Sequence, residues 1–313
     1  MDRHTGHTPI GPPHRGAAAA MGNFDGVHRG HQAVIDAARR AAAATGAPLG
    51  VVTFEPHPRR FFAPNAPPFR LMTATARAHR LARLGVDQLY ELTFDTALSE
   101  RSAEAFVSDV LVRDLGLQHV VVGADFRFGK DRAGTADRLA ALGAAAGIGV
   151  TVADLVAFEA GPVSSTAIRA ALSAGKPEIA AEMLGHWHRI EGRVEHGEKR
   201  GRDLGYPTAN LALDGLHLPR FGVYAVKFDV LDGPHRGAYL GAASLGVRPM
   251  FGENRPNLET FVLDFSGDLY GAAVSVALVA HLRDEVAYEG VEALVRQMDR
   301  DVENCRKILA ERV

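Results

Sequence analysis

The sequence predicts an α/β domain built on a parallel sheet with helices on both faces, followed by a small antiparallel β-barrel with a C-terminal helix. Three observations carry that prediction. Between residues 16 and 184, short apolar runs alternate with helical stretches. From Trp187 onward, strand-like segments follow one another with turn residues between them and no helix. Residues 289–312 then read as one amphipathic helix, with Leu294, Met298, Val302 and Ile308 among its apolar positions. The expected domains are residues 16–184 and 185–313.

Residues 17–21 are small and flexible and make a weak strand by propensity, so only their place before a glycine loop argues for one. Residues 31–44 are alanine-rich and helical, with Gly46 a suitable C′ residue. Residues 49–54 form a valine-containing run of the kind buried on both faces of a sheet. A helix around 75–84 and a strand over 87–92 follow. Ser102 is placed to cap a helix running to Leu115, with Phe106, Val110 and Leu111 on one face. Residues 119–122 are a further valine strand, 135–146 a helix and 149–152 a strand. Residues 178–184 close the first domain as a helix. In the second, residues 190–195, 224–230, 258–265 and 273–282 are strand-like. Gly197, Asp232-Gly233-Pro234 and Ser266-Gly267-Asp268 punctuate them.

Composition narrows the function. A chain of 313 residues is long enough for two cores, and a net charge of -2 supplies no basic field for nucleic acid and no polybasic membrane signal. Cys305 is the only cysteine, which excludes an intramolecular disulfide and disfavours a cysteine-based zinc site. No apolar run approaches the roughly 20 residues a membrane span needs. Residues 1–15 have no apolar signal-peptide core and read as a loosely attached extension. A cytoplasmic protein is expected.

The chemistry of the first domain centres on Gly22-Asn23-Phe24-Asp25-Gly26-Val27-His28-Arg29-Gly30-His31, immediately before the first helix. A helix start offers unsatisfied N–H groups and the positive end of the dipole, which attract phosphate. Gly22, Gly26 and Gly30 let a phosphate chain approach the backbone. His28 and His31, one turn apart, point the same way and can both donate to one phosphate. No side chain here is a ready nucleophile, so the chemistry suggested is direct transfer with charge stabilisation. In a parallel sheet, ligands sit beyond the carboxyl ends of the strands. Phe54-Glu55-Pro56-His57-Pro58 and the run from Gly123 to Gly129 follow two of those ends, and Ser164-Ser165-Thr166-Ala167-Ile168-Arg169 opens a later helix. Neither G-x-x-x-x-G-K-[ST] nor a G-x-G-x-x-G after a strand occurs, so P-loop and dinucleotide-dehydrogenase readings have no support. A metal site from His28, His31 and His57 lacks a carboxylate-backed pattern.

The opening motif resembles the H-x-G-H signature of nucleotidyltransferases with a Rossmann-like fold. Its flanks, with the segments around Phe54, Asp125 and residues 164–169, resemble the bacterial bifunctional riboflavin kinase/FAD synthetase family. The resemblance implies that His28 and His31 hold the ATP phosphates, while Gly22, Asn23, Phe24, Asp25 and Gly30 seat the nucleotide. It implies that Ser164, Ser165 and Thr166 bind phosphate and Arg169 neutralises developing charge. Phe54, Asp125, Phe126 and Phe128 are implied to flank the flavin.

The second domain gathers its chemistry between Gly197 and Asn210. A glycine-punctuated basic loop with Gly197, Lys199, Gly201 and Gly205 can wrap phosphates with backbone N–H groups. Pro207-Thr208-Ala209-Asn210 resembles the riboflavin kinase signature. Thr208 and Asn210, two apart, share one side of an extended chain and offer hard oxygen ligands suited to Mg²⁺ bound with ATP. The resemblance places Glu259 as the base for the accepting hydroxyl. Pro249-Met250-Phe251 departs from the family's Pro-Thr-Phe.

The expected activity is phosphorylation of riboflavin to FMN, then adenylylation of FMN by a second ATP to give FAD and pyrophosphate, with flavin as substrate and product and Mg²⁺ serving both steps. ATP, riboflavin and FMN are the expected partners, with no nucleic acid and no membrane, and a homo-oligomer is compatible with the sequence. The rivals are a single-function nucleotidyltransferase and a non-catalytic flavin-binding regulator derived from this family.

Overall fold

Small residues and valine runs build the first sheet. Its strands are β1 (Asp2–Thr5), β2 (Ala18–Met21), β3 (Leu49–Glu55), β4 (Gln88–Thr93), β5 (His119–Gly123) and β6 (Gly149–Ala153). They lie in the order β1-β4-β3-β2-β5-β6, and every pairing is parallel. The computed structural model describes residues 1–153, 157–158, 161–197, 205–250 and 253–312. These fall into two compact units: Met1–Pro67 with Ala74–Val163, and Pro68–Thr73 with Ser164–Val313.

In the first unit β2 is the central strand despite its alanines, because crowding favours small residues there. Ala17, Ala18, Ala19, Ala20 and Met21 are all buried, and a Cβ on Gly50 of the neighbouring strand would lie 3.0 Å from the Ala19 Cβ. The valines 120–122 of β5 are fully buried, each stabilising the core by roughly 1.5–3 kcal/mol. Helix α1 (Arg29–Thr45) follows β2 and ends on left-handed Gly46. Helices α2 (Pro58–Phe62), α3 (Ala74–Arg83) and α4 (Ala136–Ala146) follow along the chain. Ser102 caps its segment as expected, accepting from the Ala105 N–H at 3.1 Å. The predicted α-helix then winds instead as a π-helix over Phe106–Asp114, with the Leu115 N–H bonded five residues back to the Val110 carbonyl. Phe106, Val110 and Leu111 still face the core.

The first fifteen residues are not a loose extension. β1 pairs with β4 from Asp2↔Gln88 to Thr5↔Glu91. Arg3 pairs with Glu91, and His4 bonds Gln88 at 2.7 Å. The Arg15 guanidinium donates to the carbonyls of Ile10, Val112, Arg113 and Asp114.

The second unit is an antiparallel barrel of six strands: β7 (Arg189–Arg193), β8 (Thr208–Ala212), β9 (Gly222–Val230), β10 (Gly237–Met250), β11 (Glu253–Val262) and β12 (Ala273–Arg283). Their order is β7-β12-β9-β10-β11-β8, and a bridge between Glu195 and Asn210 nearly closes the ring. Alternation sends Leu211, Leu245 and Leu258 into the barrel core with Tyr224, Phe228 and Leu278. Helices α5 (Ser165–Ser173) and α6 (Pro177–Leu184) pack with Leu71 through Ile168, Leu172, Ala180 and Leu184. The last helix, α7 (Val291–Arg312), buries Cys305 and Leu309 against Ala225 and Val279. Arg283 of β12 reaches Asp301 of α7 at 2.6 Å.

Candidate functional site

In the first unit the loop leaving the carboxyl end of β2 stands where the strand order reverses, the usual ligand position of an open α/β sheet. Its backbone is held from several sides. The Gly22 N–H donates to the Val52 carbonyl, and the Asn23 carbonyl accepts from Thr53 Oγ1 at 3.2 Å and Arg77 Nη1 at 3.4 Å. Phe24 (φ 51°), Gly26 (φ 89°) and Val27 (φ 45°) all adopt left-handed conformations. Such a φ is strained for a phenylalanine and more so for a β-branched valine. Phe24 and Val27 are fully buried, so packing holds the strain in place, and Asp25 is buried with them.

That loop delivers His28 as the N-cap of α1. Its Nδ1 accepts the His31 N–H at 3.3 Å, which places the proton of the neutral ring on Nε2. The two imidazoles stack with centroids 3.6 Å apart and planes inclined by 16°. Gly30 makes this possible, since a Cβ there would lie 3.2 Å from His28 Nδ1. Burial pushes His28 down to about 4, against the raising pull of the Asp125 carboxylate from the loop after β5. His31 is held well below its ordinary value by burial and by His28. Both rings are therefore neutral at pH 7, and the buried Nδ1 of His31 has no hydrogen-bond partner among the described residues.

Behind the loop lies a buried ionic cluster without a sequence signal. Fully buried Arg77 of α3 contacts Glu91 of β4 at 2.6 Å and Glu55 of β3 at 3.1 Å while also reaching the Asn23 carbonyl. Of the aromatics assigned to flavin, Phe54 and Phe128 are buried, and half-buried Phe126 stacks on Phe128 at 5.9 Å. A missed candidate is Phe62 of α2, 69% exposed and edge-on to Phe94 at 5.7 Å. Its signal was the pair Phe61-Phe62 just beyond His57-Pro58. His57 itself caps α2, accepting the Arg59 N–H at 3.1 Å.

Ser164, Ser165, Thr166 and Arg169 belong to the second unit. Ser164 caps α5 by accepting the Ala167 N–H at 3.1 Å. The Arg169 guanidinium donates to the Phe69 carbonyl at 3.3 Å and to Thr166 Oγ1 at 3.2 Å.

The barrel's polar site lies on the strand faces turned away from its apolar core. Asn210 stands directly opposite Glu259 in the β8–β11 ladder, so their side chains share a face. Both are buried, and Thr208, two residues before Asn210, falls on the same face. Asn257 was absent from the sequence reading. Its Nδ2 donates to Asn210 Oδ1 at 2.9 Å and to Glu259 Oε1 at 3.0 Å. Asn210 Nδ2 in turn donates to the Thr208 carbonyl at 3.2 Å. Gly197 abuts this group, since a Cβ there would lie 2.5 Å from Asn210 Nδ2. Gly205 adopts φ 82°, and Pro207 directly precedes β8. Lys199, Gly201, Phe251 and the side chain of Met250 lie outside the described residues. No group of three His, Cys, Asp or Glu side chains is placed to hold a metal among the described residues.

An α/β unit with a phosphate-type loop at its switch point, joined in one chain to a small antiparallel barrel with a buried amide–carboxylate site, defines a two-part nucleotide-handling protein. The comparisons agree with that division. The FAD synthetase family matches residues 11–167 and the riboflavin kinase family residues 184–309. A bifunctional riboflavin kinase/FMN adenylyltransferase of Pseudomonas fluorescens is 43% identical over 96% of this chain and 95% of its own. Proteins of the same description from Listeria monocytogenes and Escherichia coli are 38% and 37% identical over 93% and 92% of this chain, and 92% and 91% of theirs. A solved structure described as a macrolide-efflux protein from Streptococcus pneumoniae superposes with a TM-score of 0.85 at 31% identity, covering 98% of this chain and 99% of that one. The chain belongs to the bifunctional riboflavin kinase/FMN adenylyltransferase family.

Proposed function

We propose that this chain makes FAD from riboflavin in two ATP-dependent steps, at one site in each family-matched region. The observation that carries the reading is the pair of separate polar centres: His28 stacked on His31 at a helix start, and Asn210 facing Glu259 across a ladder. The adenylyltransferase module is assigned to residues 16–184 and the kinase module to 185–313.

In the kinase step the ribityl 5′-hydroxyl attacks the γ-phosphorus of ATP, Glu259 takes the hydroxyl proton, and ADP leaves with FMN as the product. Thr208 and Asn210 supply oxygen donors, and an oxygen-only set of this kind fits Mg²⁺ bound together with ATP phosphates. The ion, when bound, neutralises triphosphate charge. Gly197, Lys199, Gly201, Gly205 and Pro207 are assigned to ATP by the resemblance.

In the adenylyl step a phosphate oxygen of FMN attacks the α-phosphorus of a second ATP, and pyrophosphate leaves. The attacking group is already anionic, so a protein base is unnecessary. Neutral His28 offers its Nε2–H to the phosphates, and His31 stacks beneath it and fixes its ring. Gly22, Asn23, Phe24, Asp25 and Gly30 shape the nucleotide loop. Arg169, with Ser164, Ser165 and Thr166, is assigned to the same step by the family resemblance. Flavin contacts are assigned to Phe54, Asp125, Phe126 and Phe128, with exposed Phe62 added. No helix among the described residues is long and apolar enough to cross a membrane; the cytoplasm is the proposed location.

A chromatographic time course with riboflavin, ATP and Mg²⁺ tests the proposal. FMN should appear first and FAD after it. FAD formed only from added FMN would leave a single-function nucleotidyltransferase, and no turnover of either flavin would leave a binding protein.

A further inference from the structure

We infer that Asn257 is a positioning residue of the kinase site, fixing Asn210 and Glu259 in one arrangement through its two amide hydrogens. The inference rests on the assignment of Glu259 and Asn210 to the kinase reaction and adds a residue that no motif supplied. β-Strand alternation puts Asn257 on the face of Glu259, two residues away, and the ladder puts Glu259 opposite Asn210. Asn257 thereby meets both groups at once. A primary amide nitrogen carries two hydrogens, and here one goes to Asn210 Oδ1 at 2.9 Å and the other to Glu259 Oε1 at 3.0 Å.

Each bond has a distinct consequence. The bond to Asn210 decides which way its amide faces: Oδ1 toward Asn257, and Nδ2 toward the Thr208 carbonyl, where it bonds at 3.2 Å. Asn210 is thereby held in one amide orientation, its oxygen toward Asn257 and its nitrogen toward the Thr208 carbonyl. The bond to Glu259 fixes Oε1 as an acceptor and so sets which way the carboxylate faces. A general base must already face the hydroxyl whose proton it takes. Replacing the amide by a group of similar size without the donor removes both effects and leaves the strand intact.

The test compares Asn257→Leu and Asn257→Asp with the unmodified enzyme and with Glu259→Gln. Riboflavin fluorescence titration establishes that each barrel still binds flavin, and conversion of added FMN to FAD serves as an internal control. Both Asn257 variants should bind riboflavin normally and make FAD from FMN at the normal rate. Their kcat for FMN formation should fall roughly 10- to 100-fold with little change in the riboflavin KM. A merely structural residue would shift riboflavin binding or KM together with kcat, or leave all of them unchanged. Inactive Glu259→Gln beside unaltered kcat in Asn257→Leu and Asn257→Asp would overturn this inference alone. Active Glu259→Gln would overturn the base assignment and this inference with it.

Discussion

The two polar centres are built by opposite means. In the first unit the chemistry hangs on backbone conformation: the left-handed Phe24, Gly26 and Val27 turn the chain so that His28 arrives as a helix cap. In the second unit the backbone is regular strand, and the chemistry hangs on register, which sets Asn210 against Glu259 and Asn257 beside both. The first site stores strain and is held by buried packing and the Arg77 cluster. The second is held by side-chain hydrogen bonds. A loop site should therefore fail when its backbone is disturbed, and a ladder site when one donor or acceptor is lost.

The largest effects should come from removing the chemical groups themselves. Glu259→Gln should lower FMN formation by about 10²- to 10⁴-fold while leaving FMN adenylylation untouched. His31→Ala should do the reverse, lowering FAD formation by about 10²- to 10³-fold in an assay started from FMN. Arg77→Met removes a buried cation that Glu91 contacts at 2.6 Å, and should destabilise the first unit by about 3–5 kcal/mol in denaturant unfolding. Its loss also removes one of the two hydrogen bonds on the Asn23 carbonyl, so FAD formation should fall in the fraction that remains folded.

A matched glycine pair sharpens the contrast. Gly197→Ala puts a Cβ 2.5 Å from Asn210 Nδ2, and Gly30→Ala puts one 3.2 Å from His28 Nδ1. The first should depress only FMN formation, the second only FAD formation, and the tighter contact at Gly197 should give the larger loss. Steady-state rates of each half-reaction decide both.

The smallest effect is a pH dependence of stability. His28 is held down to about 4 and His188 to about 3, in each case chiefly by burial. Between the ordinary histidine value of 6.5 and these lowered values, the unfolded chain binds protons that the folded chain does not. Stability is therefore full above about pH 6.5 and falls as the pH drops toward 4, on the order of 2–3 kcal/mol from His28. Thermal unfolding from pH 7.5 to 4.5 should show a falling midpoint, with a shallower slope in His188→Leu.

Much of the frame was legible in the sequence. The valine runs of β3 and β5 announce buried strands, and Gly46 marks the end of α1 as read. Other parts had no local signal. β1 reads Asp-Arg-His-Thr, of which only the threonine favours a strand, and it forms because β4 offers an edge with Glu91 and Gln88 to meet its Arg and His. The longest barrel strand, β10, is rich in glycine and alanine and lacks alternation, so it escaped the sequence reading. Histidine spacing revealed His28 and His31 as a pair, but not that one caps the other. Asn257 was silent because its role exists only across strands.

The most direct test of the two-site account is one paired experiment: His31→Ala and Glu259→Gln, each given riboflavin, ATP and Mg²⁺, with FMN and FAD followed chromatographically. The account predicts that His31→Ala accumulates FMN and makes little FAD, while Glu259→Gln leaves riboflavin unconverted yet turns added FMN into FAD. Loss of both activities from either single, folded variant would contradict it.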